Sequence, residues 1–181
     1  MMKNKNVIIK PVDENNWSDF ETLFESKGGP HYCWCMAWRM TGEERKNNTT
    51  ENRKKFIKQR VMSKTPIGII GYIGQEAIAW CSVAPRETYR SLGGDENLES
   101  VWSIVCFFVK KEYQGRGVAT TIIENAKDYA KKNGAKYLEA YPVEKNSPSY
   151  KFMGFTSMFK KIGFIFVKKA GTRRNVMTYK L

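Results

Sequence analysis

Between residues 113 and 120 the chain reads Tyr113-Gln114-Gly115-Arg116-Gly117-Val118-Ala119-Thr120. Glycines lack a Cβ, so two of them suit a backbone that bends sharply or comes close to a ligand. A helical period begins at this point. The free N–H groups of the turn then converge at the positive end of a helix dipole, a geometry that fits a diphosphate. Gln114 and Arg116 add side-chain donors. The string lacks the GxGxxG spacing of a dinucleotide-binding unit and the GxxxxGK[ST] string of a P-loop. A tight packing turn also uses glycines, but this one follows the most apolar segment of the chain.

A second concentration of chemistry lies at His31-Tyr32-Cys33-Trp34-Cys35-Met36-Ala37-Trp38-Arg39-Met40. His31, Cys33 and Cys35 supply three potential zinc ligands. The C-x-C spacing is not C-x-x-C, and no second Cys or His pair follows to complete four ligands, so no metal is expected. Trp34 and Trp38, with Cys35 between them, offer an aromatic, cation-friendly wall. Arg39 offers a partner for a carboxylate. The same bulky residues also suit a plug that closes the open end of a sheet, and both readings stand.

The elements that position these residues follow from period and punctuation. Residues 6–10 read as a short edge strand closed by Pro11. A helix follows, capped near Asp13 or Asn16, with Trp17, Phe20, Leu23 and Phe24 on one face. Gly28-Gly29-Pro30 ends it, residues 31–50 read as irregular, and a second helix is expected from Thr50 to Ser63. Ile67–Ile73 and Ala77–Val83 around Gly74-Gln75 form a hairpin. A polar loop covers 86–97, and Val101–Val109 reads as a central strand covered on both faces. Residues 117–132 switch to helical period, with Val118, Ile122, Ala126 and Tyr129 or Ala130 inward and Lys127, Lys131 and Lys132 off that face. Asn133-Gly134 caps it. Ala135–Tyr141 is a further strand, parallel to 101–109 by the βαβ rule. A last helix at 154–162 precedes a closing hairpin of 164–167 with 175–181.

Length and composition narrow the class. The 181 residues fit one domain, residues 1–181, with enough chain to bury roughly 70% of its extended surface without staples. The apolar fraction of 41%, with 13% aromatic residues, disfavours a disordered chain. The longest apolar stretch, Val101 to Val109, is far short of the roughly 20 residues of a membrane span. The N-terminus has no h-region, so no signal peptide is read there. Four cysteines fit thiols kept reduced in the cytoplasm. The net charge is +13, and residues 145–181 hold nine Lys or Arg and no Asp or Glu. Such a face steers anions. Nucleic acid is not the expected partner, since no RNP-like, zinc-finger or helix-turn-helix string appears.

Gln114-x-x-Gly117-x-Ala119 resembles the Q/R-x-x-G-x-G/A signature of the GNAT N-acetyltransferases. Phe107-x-Val109 is similar to the end of the family's fourth strand. Met158-Phe159-Lys160-Lys161-Ile162-Gly163-Phe164 looks like its late L-Y-x-x-x-G-F string. A related-looking, uncharacterised subgroup carries a string similar to CWCM-x-WR together with one like Glu139-Ala140-Tyr141-Pro142. The resemblance implies a mixed, largely antiparallel sheet flanked by helices, with a central parallel βαβ unit and splayed fourth and fifth strands. It implies acetyl-CoA as co-substrate. The pantetheine arm would pair with backbone at Phe107, Phe108 and Val109, and the diphosphate would sit on Gln114, Gly115, Arg116, Gly117, Val118, Ala119 and Thr120. Residues 31–40 fall where the family places its acceptor loop, which would make Trp34, Cys35, Trp38 and Arg39 acceptor-binding.

The implied reaction is transfer of an acetyl group to a primary amine by direct attack in a ternary complex. The amine must be neutral to attack, so a base or water relay is needed. A strand backbone N–H near Phe107 would hold the developing oxyanion. Here the sequence departs from the family's pattern. Its tyrosine acid falls at Phe159, and its strand-four carboxylate falls near Ser103. Glu139 and Tyr141, on one face of a strand by two-residue alternation, are the leading substitutes, with Tyr150 and Cys106 behind them. The departure motivates an alternative: a GNAT-like module that binds acyl-CoA or nucleic acid without turnover. The acceptor's identity and the choice between monomer and homodimer are not written in the sequence.

Overall fold

The computed structural model describes residues 7–181. Seven strands are present: β1 (Ile8–Pro11), β2 (Ile69–Ile73), β3 (Glu76–Pro85), β4 (Val101–Val109), β5 (Tyr137–Ala140), β6 (Ile165–Ala170) and β7 (Arg174–Lys180). The helices are α1 (Trp17–Glu25), α2 (Gly42–Lys46), α3 (Thr50–Met62), α4 (Val118–Lys132) and α5 (Thr156–Lys161). The strands form one mixed sheet in the order β1-β2-β3-β4-β5-β7-β6. Every neighbouring pair is antiparallel except β4–β5, which is parallel and joined through α4. The expected hairpin, βαβ unit and closing hairpin are all observed.

The sheet is covered on both sides. On one face, Trp17, Phe20, Leu23 and Phe24 of α1 are buried, as their spacing requires, around Trp80 of β3. Phe20 meets the Trp80 ring edge-on at 4.9 Å and Phe24 does so at 5.7 Å. The other face takes α4 through Val118, Ile122, Ile123, Ala126 and Ala130. β4 lies between these layers, and its apolar run is buried from Val101 to Cys106.

Several boundaries and one side chain differ from expectation. β1 includes Pro11, which pairs with Ile69 on an edge where a missing N–H is harmless; Asn6 lies outside the described residues. α3 begins at Thr50 as expected, capped by the Thr49 side chain, which accepts the Asn52 N–H at 3.2 Å, and it ends at Met62 with Ser63 as its C-cap. The stretch 31–50 is not wholly irregular. Thr41 and Glu44 form a capping box that starts the five-residue α2. Lys127 does not lie off the buried face of α4. Its stem is buried, its Nζ donates to the Ile162 carbonyl at 2.6 Å, and it sits 4.0 Å over the Tyr179 ring. A long aliphatic stem lets a lysine cover apolar surface while its ammonium finds a carbonyl and a π face.

Candidate active site

The pairing of β3 with β4 contains one extra residue. Ser82 faces Cys106 and Val83 faces Ile104, which leaves Val105 unopposed. Such a bulge changes which residues point to which face. Before it, Trp102 and Ile104 pack on the α4 side; after it, Phe107 and Val109 do, while Cys106 packs with the α1 side. The pairing of β4 with β5 stops at the same level, running only from Val101–Tyr137 to Ile104–Ala140, where β5 ends. From Val105 onward, β4 has no β5 partner.

The chain beyond β5 turns away to pair elsewhere. Val143 donates its N–H to the Gly154 carbonyl at 2.9 Å and accepts from the Thr156 N–H at 3.0 Å. β4 and the continuation of β5 therefore diverge, with the single turn Lys151–Met153 packed against β4. The Lys110 N–H donates to the Ile78 carbonyl at 2.9 Å. By antiparallel alternation, the N–H groups of Phe107 and Val109 then point away from β3, into the divergence.

The exposed turn stands at the end of this edge. Gly115 (φ +73°) and Gly117 (φ +80°) both occupy the left-handed region, with open space where a Cβ would be. Among the described residues, no backbone N–H from Gly115 to Thr120 finds a protein acceptor; the first bond of α4 is from Thr121 N–H to the Gly117 carbonyl at 3.0 Å. The turn is braced from behind. Gln114 donates from its side chain to the Val109 carbonyl at 2.9 Å. Lys110 Nζ and the Tyr113 hydroxyl each bond Glu76 at 2.7 Å, which holds the Glu76 carboxyl below its usual range. Arg116 is exposed and lies 5.8 Å from the Tyr113 ring centroid. The result is a row of free N–H donors beside a cation and an unpaired strand edge.

Glu139 and Tyr141 do come together, and they are fully buried. The Tyr141 hydroxyl donates to Glu139 Oε2 at 2.7 Å, and Glu139 Oε1 accepts the Asp95 N–H at 2.7 Å. Arg86 Nη1 stands 3.4 Å from Glu139 Oε1 and also donates to the Asp95 carbonyl at 2.7 Å. Burial, then the neighbouring Glu139 charge, pushes the Tyr141 hydroxyl up. The pair thus ties β5 to the 86–98 loop. Ser103 and Phe159 are likewise fully buried, and Phe159 lies 6.1 Å from the Phe107 ring.

The 31–40 segment divides. Trp34 stacks on Phe24 at 5.4 Å and is buried. Cys35 Sγ accepts the Trp80 indole N–H at 2.9 Å. Arg39 donates to the Ile67 carbonyl at 2.5 Å, to Ser82 Oγ at 2.8 Å and to the Tyr89 hydroxyl at 2.7 Å, with only 3% of its surface exposed. These three residues pack against the sheet, and Arg39 has no face open to an acceptor carboxylate. Trp38 alone of the four stays partly exposed. Burial raises the Cys35 thiol, while a hydrogen bond with Cys35 followed by burial raises Cys33, so both remain protonated. Among the described residues, no group of three or more His, Cys, Asp or Glu is placed to hold a metal ion, and no helix is long and apolar enough to cross a membrane.

Two features escaped the sequence reading. The Val105 bulge has no residue signature. Arg174, which meets Trp38 and Tyr150 beside the divergence, was hidden in a basic, solvated-looking tail.

Comparisons with known proteins agree with this fold. Among curated proteins, no sequence matches the chain. Solved structures share the fold: the PaiA N-acetyltransferase of Thermoplasma acidophilum in complex with coenzyme A (15% identity, 97% of this chain and 99% of that one, TM-score 0.57); yncA, a putative acetyltransferase of Salmonella typhimurium with acetyl-CoA (13%, 97% and 94%, TM-score 0.58); and an uncharacterized protein of Bacillus halodurans (16%, 98% and 85%, TM-score 0.65). The model of the acetyltransferase (GNAT) family matches residues 17–155, well over half the sequence. The chain belongs to the acetyltransferase (GNAT) family.

Proposed function

We propose that this chain is an acyl-CoA-dependent N-acyltransferase that moves an acetyl group from acetyl-CoA to a primary amine by direct attack in a ternary complex. One observation carries the reading: the unsatisfied N–H groups of Gly115–Thr120 lie at the end of a strand edge that β5 has left unpaired. Diphosphate oxygens match the first, and an amide-bearing arm matches the second. Arg116 supplies charge, and the glycines let the ligand approach the backbone. Whole-chain similarity to proteins solved with coenzyme A or acetyl-CoA supports the same substrate.

Acetyl-CoA supplies an activated thioester when bound. The chain's own residues orient it: Phe107, Phe108 and Val109 along the edge, and the Phe107 N–H toward the developing oxyanion. Glu139 and Tyr141 are bonded to each other away from solvent, so in this reading they position the end of β5 and the 86–98 loop. Proton transfer falls to water and to the half-exposed Tyr150 hydroxyl on the segment packed against β4. Trp38 remains as the acceptor-facing member of its segment. The whole chain serves as one such domain, acting in the cytoplasm and needing neither metal nor nucleic acid.

The absence of a hydroxyl at Phe159 and the burial of Glu139 favour a second reading, a module that binds acyl-CoA without turning it over. One experiment separates the two. Acetyl-CoA is titrated by calorimetry, and free thiol is then followed across a panel of amines. Binding with amine-dependent thiol release is the expected result. Binding without release leaves the module, and no binding overturns both.

A further inference from the structure

Beside the divergence of β4 and β5 lies a group of cations that no carboxylate among the described residues pairs with. Two guanidiniums lie close to Trp38: Arg174 Cζ is 4.8 Å from its ring centroid, and Arg90 Cζ is 5.1 Å away. Arg174 also lies within cation–π range of Tyr150, at 5.7 Å, and of Tyr141, at 6.0 Å. Among the described residues, its guanidinium donates once, from Nη1 to the Leu92 carbonyl at 3.2 Å. Arg90 donates to the Ala37 carbonyl at 2.6 Å. Among the described residues, the ion pairs take Lys46, Lys54, Arg60, Arg86, Lys110 and Lys127, and neither Arg90 nor Arg174. Partial burial without an anion lowers the Arg174 pKa, as desolvation of a cation must.

The position of this cluster matters as much as its charge. Arg174 bridges to Val143, and the Asn175 N–H holds the Pro142 carbonyl at 2.8 Å, so Arg174 is fixed to the chain that leaves β5. Tyr150 leads into the turn that packs on β4. Trp38 and Tyr150 pack with Val105, the bulge residue, and with Tyr141, in an apolar cluster separate from that of α4. The cluster therefore borders the gap on the side away from α4. A thioester carrier gripped by the α4 turn leaves that side for the second substrate. Held beside aromatic rings, the guanidiniums lose little freedom on binding, and Arg174 keeps most of its five donors unused.

We propose that Arg174 and Arg90, held on Trp38 and Tyr150, anchor an oxyanion of the acceptor, so that the enzyme selects amines bearing a carboxylate or phosphate. This inference rests on the acyl-transfer reading. Polycationic amines are repelled at the same place.

The test compares matched probes. N-acetylglycine and its uncharged partner N-acetylglycinamide are titrated by calorimetry into protein with and without coenzyme A. Glycine against glycinamide, and phosphoethanolamine against ethanolamine, are compared by thiol release. A charge-assisted pair at Arg174 predicts at least about a tenfold preference for the anionic member of a pair. The two series tell a carboxylate from a phosphate. The preference ratio within each variant is expected to fall toward one in Arg174→Gln and in Arg90→Gln. Arg90 is exposed, so its variant keeps the test valid if loss of Arg174 disturbs folding. Equal binding of charged and uncharged partners, no binding of either, or a ratio that survives both substitutions overturns the inference. Failure of the acyl-transfer reading shows separately, as absent affinity for coenzyme A in the same calorimeter.

Discussion

The ring of Phe107 fills the space that a side chain at Gly154 would need: a Cβ there would stand 2.5 Å from Phe107 Cζ. Phe107 lies on the free edge of β4, and Gly154 on the segment that pairs with the continuation of β5. The two residues thus set the distance between the diverging walls.

Gly154→Ala is expected to destabilise the fold by about 2–3 kcal/mol, through overpacking and a φ of +83° that alanine resists. Urea or thermal unfolding measures it. Because Phe107 must shift, the KM for acetyl-CoA rises as well. Wild-type stability in this variant would contradict the contact.

Arg116→Glu tests the diphosphate turn. The side chain is exposed, so the melting temperature should stay put. Reversing a charge beside the free N–H row is expected to weaken acetyl-CoA binding at least about tenfold at low salt, with the gap narrowing as ionic strength rises. Calorimetry at two salt concentrations reads both effects, and an unchanged Kd removes Arg116 from the site.

Glu139→Gln separates positioning from proton transfer. Loss of the charge leaves Arg86 and the Asp95 N–H with a poorer acceptor in a dry network, at a cost of about 2–4 kcal/mol. Tyr141→Phe should cost about 1–2 kcal/mol. A positioning pair lowers the melting temperature and leaves the pH profile of kcat in place. A collapse of kcat with intact stability and a lost pH limb would instead make the pair the proton carriers.

Glu44 links α2 to α3, bonding Arg60 at 2.8 and 2.9 Å and capping Thr41. Burial alone would raise its pKa, but the Arg60 bonds and the Thr41 N–H outweigh burial and hold it below the usual carboxylate value. A folded-state pKa below the unfolded one means the stabilisation is complete above the unfolded value and is lost as pH falls through the folded value. Glu44→Gln should therefore cost about 1 kcal/mol at neutral pH. Wild type and variant should converge in acid, as pH-dependent thermal melts would show.

What the sequence determined by itself was local. The Trp17–Phe20–Leu23–Phe24 stripe, the apolar run of β4, the switch to helical period at Val118 and the two glycines of the turn each rest on neighbours a few residues apart, where period and backbone freedom act directly. The five-residue α2 carries no apolar stripe, and only its capping box announces it. The tertiary structure decided everything that depends on distant partners. Whether Arg39 met solvent or a buried carbonyl depended on Ile67, Ser82 and Tyr89. Glu139 found Arg86, the Asp95 N–H and the Tyr141 hydroxyl. The extra residue at Val105 exists only relative to β3, since a bulge is a mismatch between two strands. Arg174 gained its aromatic neighbour only when the fold brought Trp38 to it from far along the chain. Pairings across dozens of residues are fixed by the packing of the whole molecule, which no local pattern encodes.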